Sequence, residues 1–298
     1  MRGFTVADTA PLQLDRMGPL AEMYVLSPFV WREGGTYKML LRAVPRSERA
    51  AEKIARVHYG ESRDGLRFAM RVEPSIAPGP GEDDMDGCED PTLAMADGQY
   101  YVYYTGWNES AKRGQLLLAS GSDPERLTKR GVALPWTPER KNPKEATIVR
   151  ARDGTWRLFF EYAADDKSKI GVASAPAVDG PWTVQHLLLE ARADSWDSWH
   201  LSTGPIVFSD SAEPVMFYNG ATRDAAWRIG WIAFDDRYSR VTARCEEPLI
   251  VPPARRDPDA TDIAFAASAV EEDGELSIYY SIADKDMCRA TVLPCPPE

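Results

Sequence analysis

The sequence predicts an all-β fold, a five-bladed β-propeller with a central funnel-shaped active site. Three observations predict it. A hairpin signal recurs five times in 298 residues, as "WREGGTYKMLLRA" (31–43), "MADGQYYVYYTGW" (95–107), "ARDGTWRLFFEYA" (151–163), "FSDSAEPVMFYNGA" (208–221) and "EEDGELSIYYSIA" (271–283). Each copy is a polar turn, mostly Asp-Gly or Gly-Gly, followed by alternating aromatic and β-branched residues. The second turn residues fall at 35, 98, 154, 211 and 274, giving steps of 63, 56, 57 and 63 residues. Repeats of that length, built from about four strands each, make propeller blades. No segment reads as a helix longer than two turns. The nearest, "RSERAAEKIARV" (46–57), reads equally as a loop insertion.

The first blade is expected over 20–75, with "YVLSPFVW" (24–31) innermost and "KIARVHYGESRDGLRF" (53–68) following the hairpin. The second, over 85–131, starts at "EDPTLAM" (89–95) and continues into "GQLLLASGSD" (114–123). Pro91 has no backbone donor, which suits a strand start or an edge. The third, over 142–188, pairs "KEATIVR" (144–150) with "SKIGVASAPAVDGPW" (168–182). The fourth, over 198–246, starts at "LSTGPIVF" (201–208) and includes "WRIGWIAFDD" (227–236). The fifth, over 260–298, starts at "DIAFAASAV" (262–270), and the N-terminal segment is expected to close the ring, so that 1–298 forms one domain. The first strand of each blade lines the axis. The polar groups at these strand starts are Glu89, Asp90, Lys144, Glu145, His200, Ser202, Thr203 and Asp262. Four carboxylates from three blades repel one another unless a shared site uses them.

Composition bounds the partners. The hydrophobic fraction of 44% supports a sizeable core, and the net charge of −11 disfavours nucleic acid and anionic membrane but not a neutral sugar. The opening residues carry no apolar leader core and no stretch is long enough to span a membrane, so a cytoplasmic location is expected. Cys88, Cys245, Cys288 and Cys295 are scattered without a Cys-x-x-Cys pair and read as free thiols, not as metal ligands.

The segment "GCEDPTLAMADGQYYVYYTGW" (87–107) resembles the GVEDPR-centred motif of glycoside hydrolase family 130, the β-mannoside phosphorylases and β-mannosidases. "YKMLLRAV" with "GESRDGLRFAM", "NPKEATIVRARDGTWRLFFEY", "HLSTGPIVFSDSAEPVMFYNGA" and "DATDIAFAASAVEEDGELSIYYSIAD" fall in register with further family segments, so the likeness runs from about residue 20 to 293. It implies a five-bladed propeller that cleaves β-mannosides with inversion. It also makes Asp90 the general acid, acting through a sugar hydroxyl. Phosphorylase members hold inorganic phosphate with basic residues; hydrolase members lack those residues and use water. This sequence departs from the phosphorylase pattern at Thr92, Glu161 and Asn219, where the family carries basic residues. A phosphate dianion needs cations or helix N-termini, so the departures favour hydrolysis of β-linked manno-oligosaccharides. Phosphorolysis is the alternative, with phosphate as co-substrate near Arg42, Lys144 and His200; no other cofactor and no metal is expected.

An inverting glycosidase needs an acid and a base roughly 6.5–9.5 Å apart. Asp90 is the expected acid and Glu161 or Glu145 the base, Glu161 being preferred for its place in the family pattern. Glu89, Asp262, Arg42, Lys144 and His200 are expected around the sugar hydroxyls, and Trp107, Trp196 and Trp199 as stacking platforms. Crowding is expected to raise the carboxyl pKa values and keep the acid protonated. The partner is then an oligosaccharide or glycoside, with homo-oligomerisation left open. A non-catalytic sugar-binding propeller is the reading from a different class. Arabinanase-type propellers are disfavoured, because blade one starts without an aspartate.

Overall fold

The computed structural model describes residues 3–49, 52–185, 189–254, 261–272 and 274–295. They form five blades of antiparallel strands. Blade one is Met23–Glu33, Thr36–Pro45, Arg56–Ser62 and Arg67–Ile76, with the short strand Gln13–Asp15 added parallel at its outer edge. Blade two is Cys88–Ala96, Gln99–Asn108, Arg113–Gly121 and Thr128–Leu134; blade three is Lys141–Arg150, Trp156–Ala164, Lys167–Ala175 and Thr183–Gln185. Blade five is Ala264–Glu272, Glu275–Ile282 and Asp286–Pro294, and its fourth strand is the N-terminal Phe4–Pro11. Part of the 46–57 segment, residues 50 and 51, lies outside the described residues.

The turns fold as their residues dictate. Gly34 and Gly35 have φ of 58° and 81°, and Asp97 and Gly98 have 51° and 71°. Two successive positive values are the geometry of the hairpin turn that matches strand twist. The strands that follow are buried on both faces, because each sheet is packed between neighbours. Val102, Tyr103 and Tyr104 are fully buried, as are Leu158, Phe159 and Phe160. The buried Tyr103 places its hydroxyl on the Val178 carbonyl at 2.6 Å, which joins blade two to blade three.

Blade four departs from the regular pattern. It divides into an inner sheet of His200–Ser202, Asn219–Ala221 and Trp227–Ile229 and an outer one of Ile206–Val207, Val215–Met216, Ile232–Phe234 and Val241–Arg244. Gly204 explains the break: a Cβ there would lie 1.9 Å from the Phe217 carbonyl oxygen, so the chain bends where only glycine fits. Asn219 then staples this blade to the fifth. Its Nδ2 donates to the Thr203 and Ala266 carbonyls at 2.5 and 3.1 Å, and its Oδ1 accepts from the Ala266 N–H at 2.7 Å. Among the described residues, no helix is long and apolar enough to cross a membrane.

Candidate active site

Three consecutive inner strands carry the same irregularity. Strand register slips between Leu26 and Phe29, between Glu89 and Thr92, and between Lys144 and Thr147. Within each slip one residue takes a left-handed backbone: Ser27 at φ 53°, Asp90 at 48° and Glu145 at 47°. Such a conformation costs a non-glycine residue roughly 1–2 kcal/mol. A bulge re-aims its side chain, and strain of this kind gathers at functional sites. Pro91 falls inside the second bulge, where no ladder hydrogen bond is required of it.

The bulges bring Ser27, Asp90 and Glu145 together, with Thr203 and Ala266, around an axial pocket of about 10 Å³, room for about one water. Asp90 is only 5% exposed. Its Oδ1 accepts from the Ser27 hydroxyl at 2.8 Å and from Arg42 Nη1 at 3.3 Å. The Ser27 N–H is held by the Ser281 hydroxyl at 3.0 Å, so blade five fixes the group that fixes Asp90. The Asp90 and Glu145 side chains hydrogen-bond each other. Two carboxyls can do so only when one carries a proton. The contact also leaves no gap for the water of an inverting pair, so Asp90 and Glu145 form one unit.

Beside this pocket lies a cleft of about 530 Å³, lined by Lys53, Glu89, Trp107, Lys144, Glu161 and Ser168 among others. Sequence neighbours divide between the two spaces: Glu89 and Lys144 face the cleft, and Asp90 and Glu145 face the axis. Arg42 spans both, pairing with Glu89 at 2.7 Å as well as with Asp90. Lys144 lies 3.4 Å from Glu161, which is buried and also accepts from the Ser168 hydroxyl at 2.7 Å. The Ser168 N–H donates to His200 Nδ1 at 3.0 Å, which leaves Nε2 to carry the proton of a neutral ring.

The electrostatics separate the acids. Burial raises the Glu145 pKa well above the ordinary glutamate value, and the neighbouring Asp90 charge adds to the shift. Burial also acts to raise Asp90, but Arg42, Lys144 and the hydrogen bonds from Ser27 and Glu145 outweigh it and bring it below the usual value. The crowding expected to raise the Asp90 pKa therefore raises that of its partner instead. Burial raises Glu89, opposed by Arg42. Glu161 raises Lys144 against burial, and burial lowers His200.

The sequence profile of glycoside hydrolase family 130, described as β-1,4-mannooligosaccharide phosphorylase, matches residues 41–293. The chain belongs to glycoside hydrolase family 130. It is 24% identical over 267 residues to a 1,2-β-oligomannan phosphorylase of Thermoanaerobacter sp. (strain X514), covering 85% of this chain and 84% of that one. It is 23% identical over 273 residues to a β-1,2-mannobiose phosphorylase of the same organism, covering 87% of each. Among solved structures, the β-1,2-mannobiose phosphorylase of Listeria innocua, bound to β-1,2-mannobiose, superposes with a TM-score of 0.77 at 19% identity, over 95% of this chain and 90% of that one. A second, reported with family-130 glycoside hydrolases that target β-1,2-mannosidic linkages in Candida mannan, has a TM-score of 0.76 at 21% identity, over 90% and 84%.

Within this family-130 fold, the EDP segment is anchored from behind. Asp84, 2% exposed, meets Lys129 at 2.5 Å, the Tyr104 hydroxyl at 2.8 Å and Cys88 Sγ at 3.4 Å. Asp86 accepts from the Glu109 N–H at 2.8 Å. The acids of this segment thus divide three ways: Asp84 anchors it, Asp86 and Glu89 line the cleft, and Asp90 faces the axis.

Of the residues expected at the site, Asp90, Glu145, Glu89, Arg42, Lys144 and Glu161 come together, with Trp107 on the cleft wall and His200 behind Ser168. Asp262 does not join them; it pairs with Arg228 at 2.9 Å. Trp199 is held between Lys167 and Arg223, at 4.2 and 4.8 Å from the ring centre, and lies outside the cleft lining. Trp196 packs on Tyr218 and donates to the Glu246 carbonyl. Blade five instead offers Asp284, which interacts electrostatically with Arg42, Asp90 and Lys144 and whose pKa burial raises. The sequence reading passed over it. Its one signal is its place at the far end of the blade-five hairpin, in "SIAD" (281–284).

Proposed function

We propose that this chain cleaves β-linked manno-oligosaccharides, with β-1,2 linkages as the first candidates, and that inorganic phosphate is the attacking group. The leaving oxygen takes a proton from the Asp90 pair as its bond to C1 breaks. A phosphate oxygen bonds C1 from the opposite face, giving mannose 1-phosphate. The observation that carries the reading is the juxtaposition of a buried, strained Asp90 with the cleft that holds Lys144, whose side chain is 42% exposed. The names of the curated relatives support phosphate over water. Two departures that favoured water in the sequence weigh less once located: Asn219 is fully buried between blades and Thr92 is 3% exposed, so neither is on the cleft.

Hydrolysis is the second reading, and one observation favours it. Arg42 and Lys144 are each already matched by carboxylates, so phosphate would compete with Glu161 for Lys144. In that reading Glu161 accepts the proton of the attacking water. The test is incubation with β-1,2-mannobiose and longer β-1,2-oligomannosides, with and without inorganic phosphate. Mannose 1-phosphate formed only with phosphate is the expected result. Free mannose released at the same rate without phosphate overturns it in favour of hydrolysis.

A further inference from the structure

We propose that Glu145 holds the catalytic proton of the resting enzyme and delivers it through Asp90, so that the acid of this site is a two-carboxyl unit rather than Asp90 alone. The inference rests on the reading of this site as one that cleaves glycosides. Glu145 and Asp90 leave adjacent inner strands at matching bulges, and their side chains meet in a hydrogen bond. That bond contains one proton. The surroundings decide where it rests. Asp90 also receives Ser27 Oγ at 2.8 Å and Arg42 Nη1 at 3.3 Å, both of which prefer a carboxylate. Glu145 faces Asp90, Lys144 and Glu161, and burial favours its neutral form. Glu89 and Asp284 are further acids within electrostatic range of Asp90, and burial raises both.

The step balances. In the resting site Glu145–OH donates to the Asp90 carboxylate. As the glycosidic bond breaks, the leaving oxygen takes its proton from Asp90, directly or through a sugar hydroxyl, and Asp90 takes the Glu145 proton. The pair is left as two carboxylates, with Arg42 and Lys144 as the adjacent cations. The proton given up by the attacking phosphate or water restores the pair.

Two measurements on wild type and Glu145→Gln test this. Gln retains a donor toward Asp90 but has no proton to give. Infrared difference spectra of the free proteins at neutral pH are expected to show a protonated-carboxyl C=O band in wild type that is lost in Glu145→Gln. No such band in wild type, or its survival in the variant, overturns the proposal without reference to any substrate. Rates are then compared on β-1,2-mannobiose and on 2,4-dinitrophenyl β-mannoside, whose leaving group departs without protonation. The variant is expected to lose about 100-fold or more in kcat on mannobiose, while its rate on the aryl mannoside stays within about threefold. An equal loss on both substrates makes Glu145 a structural residue and overturns the proposal. If wild type cleaves neither mannoside, the functional reading fails, and the infrared result still decides where the proton rests.

Discussion

Asp197 shows how single residues divide between stability and chemistry. It has no exposed surface, accepts from Tyr218 at 2.5 Å and Arg192 at 3.0 Å, and pairs with Arg244. Burial acts to raise its pKa, but these partners outweigh burial and hold it below the ordinary aspartate value. A depressed folded-state pKa gives stability that is present above the unfolded value, about 3.9, and is lost as pH falls through the folded one. Asp197→Asn is therefore expected to cost about 1.5–3 kcal/mol at pH 7, because the part-buried Arg192 and Arg244 lose the charge of their common partner. The gap from wild type should narrow below about pH 4. Urea midpoints measured across pH 2.5–7 check both statements; a gap independent of pH contradicts them. The carboxylates on the axis are arranged differently. Asp90 is held by a hydroxyl, a guanidinium and a second carboxyl, a set suited to moving a proton rather than to fixing a charge.

At the scale of the element, the inner strands do two tasks. Their bulges turn Ser27, Asp90 and Glu145 toward the axis, and their ends carry the links between blades. Asn219 is a buried link between blades four and five, and Asn219→Ala leaves one buried N–H and two buried carbonyls without this partner. The expected cost is about 3–5 kcal/mol, read as a lower urea midpoint with little change in slope. Elements were also what the sequence displayed best. Asp-Gly and Gly-Gly turns ahead of aromatic runs mark hairpins through local chemistry, so the repeat was visible without a structure. The bulges were not, because Ser27, Asp90 and Glu145 adopt a left-handed backbone that their residue types do not announce. Asn219 misled for a related reason: likeness to a family motif gives a residue's position, while its partners come from the adjacent blade. Blade five supplied Asp284 rather than Asp262 because Arg228 engages Asp262.

At the scale of the molecule, Phe4–Pro11 pairs with Asp286–Pro294, so the two ends of the chain share one blade. Phe4 packs against Phe217 and Trp231 of blade four, tying that shared blade to its neighbour. A ring held in this way keeps residues more than 250 positions apart in register, as in the Ser281 bond to Ser27 that steadies Asp90. The net charge of −11 suits a neutral sugar, and in the proposed reaction phosphate would have to be drawn by the local cations Arg42 and Lys144. The central claim is that Asp90 supplies the proton for breaking a mannosidic bond. It is tested most directly by the phosphate-dependent rate of β-1,2-mannobiose cleavage by wild type and Asp90→Asn, side by side. A loss of about 100- to 10,000-fold in kcat with KM nearly unchanged is the predicted result. An Asp90→Asn protein that cleaves mannobiose at the wild-type rate would contradict it.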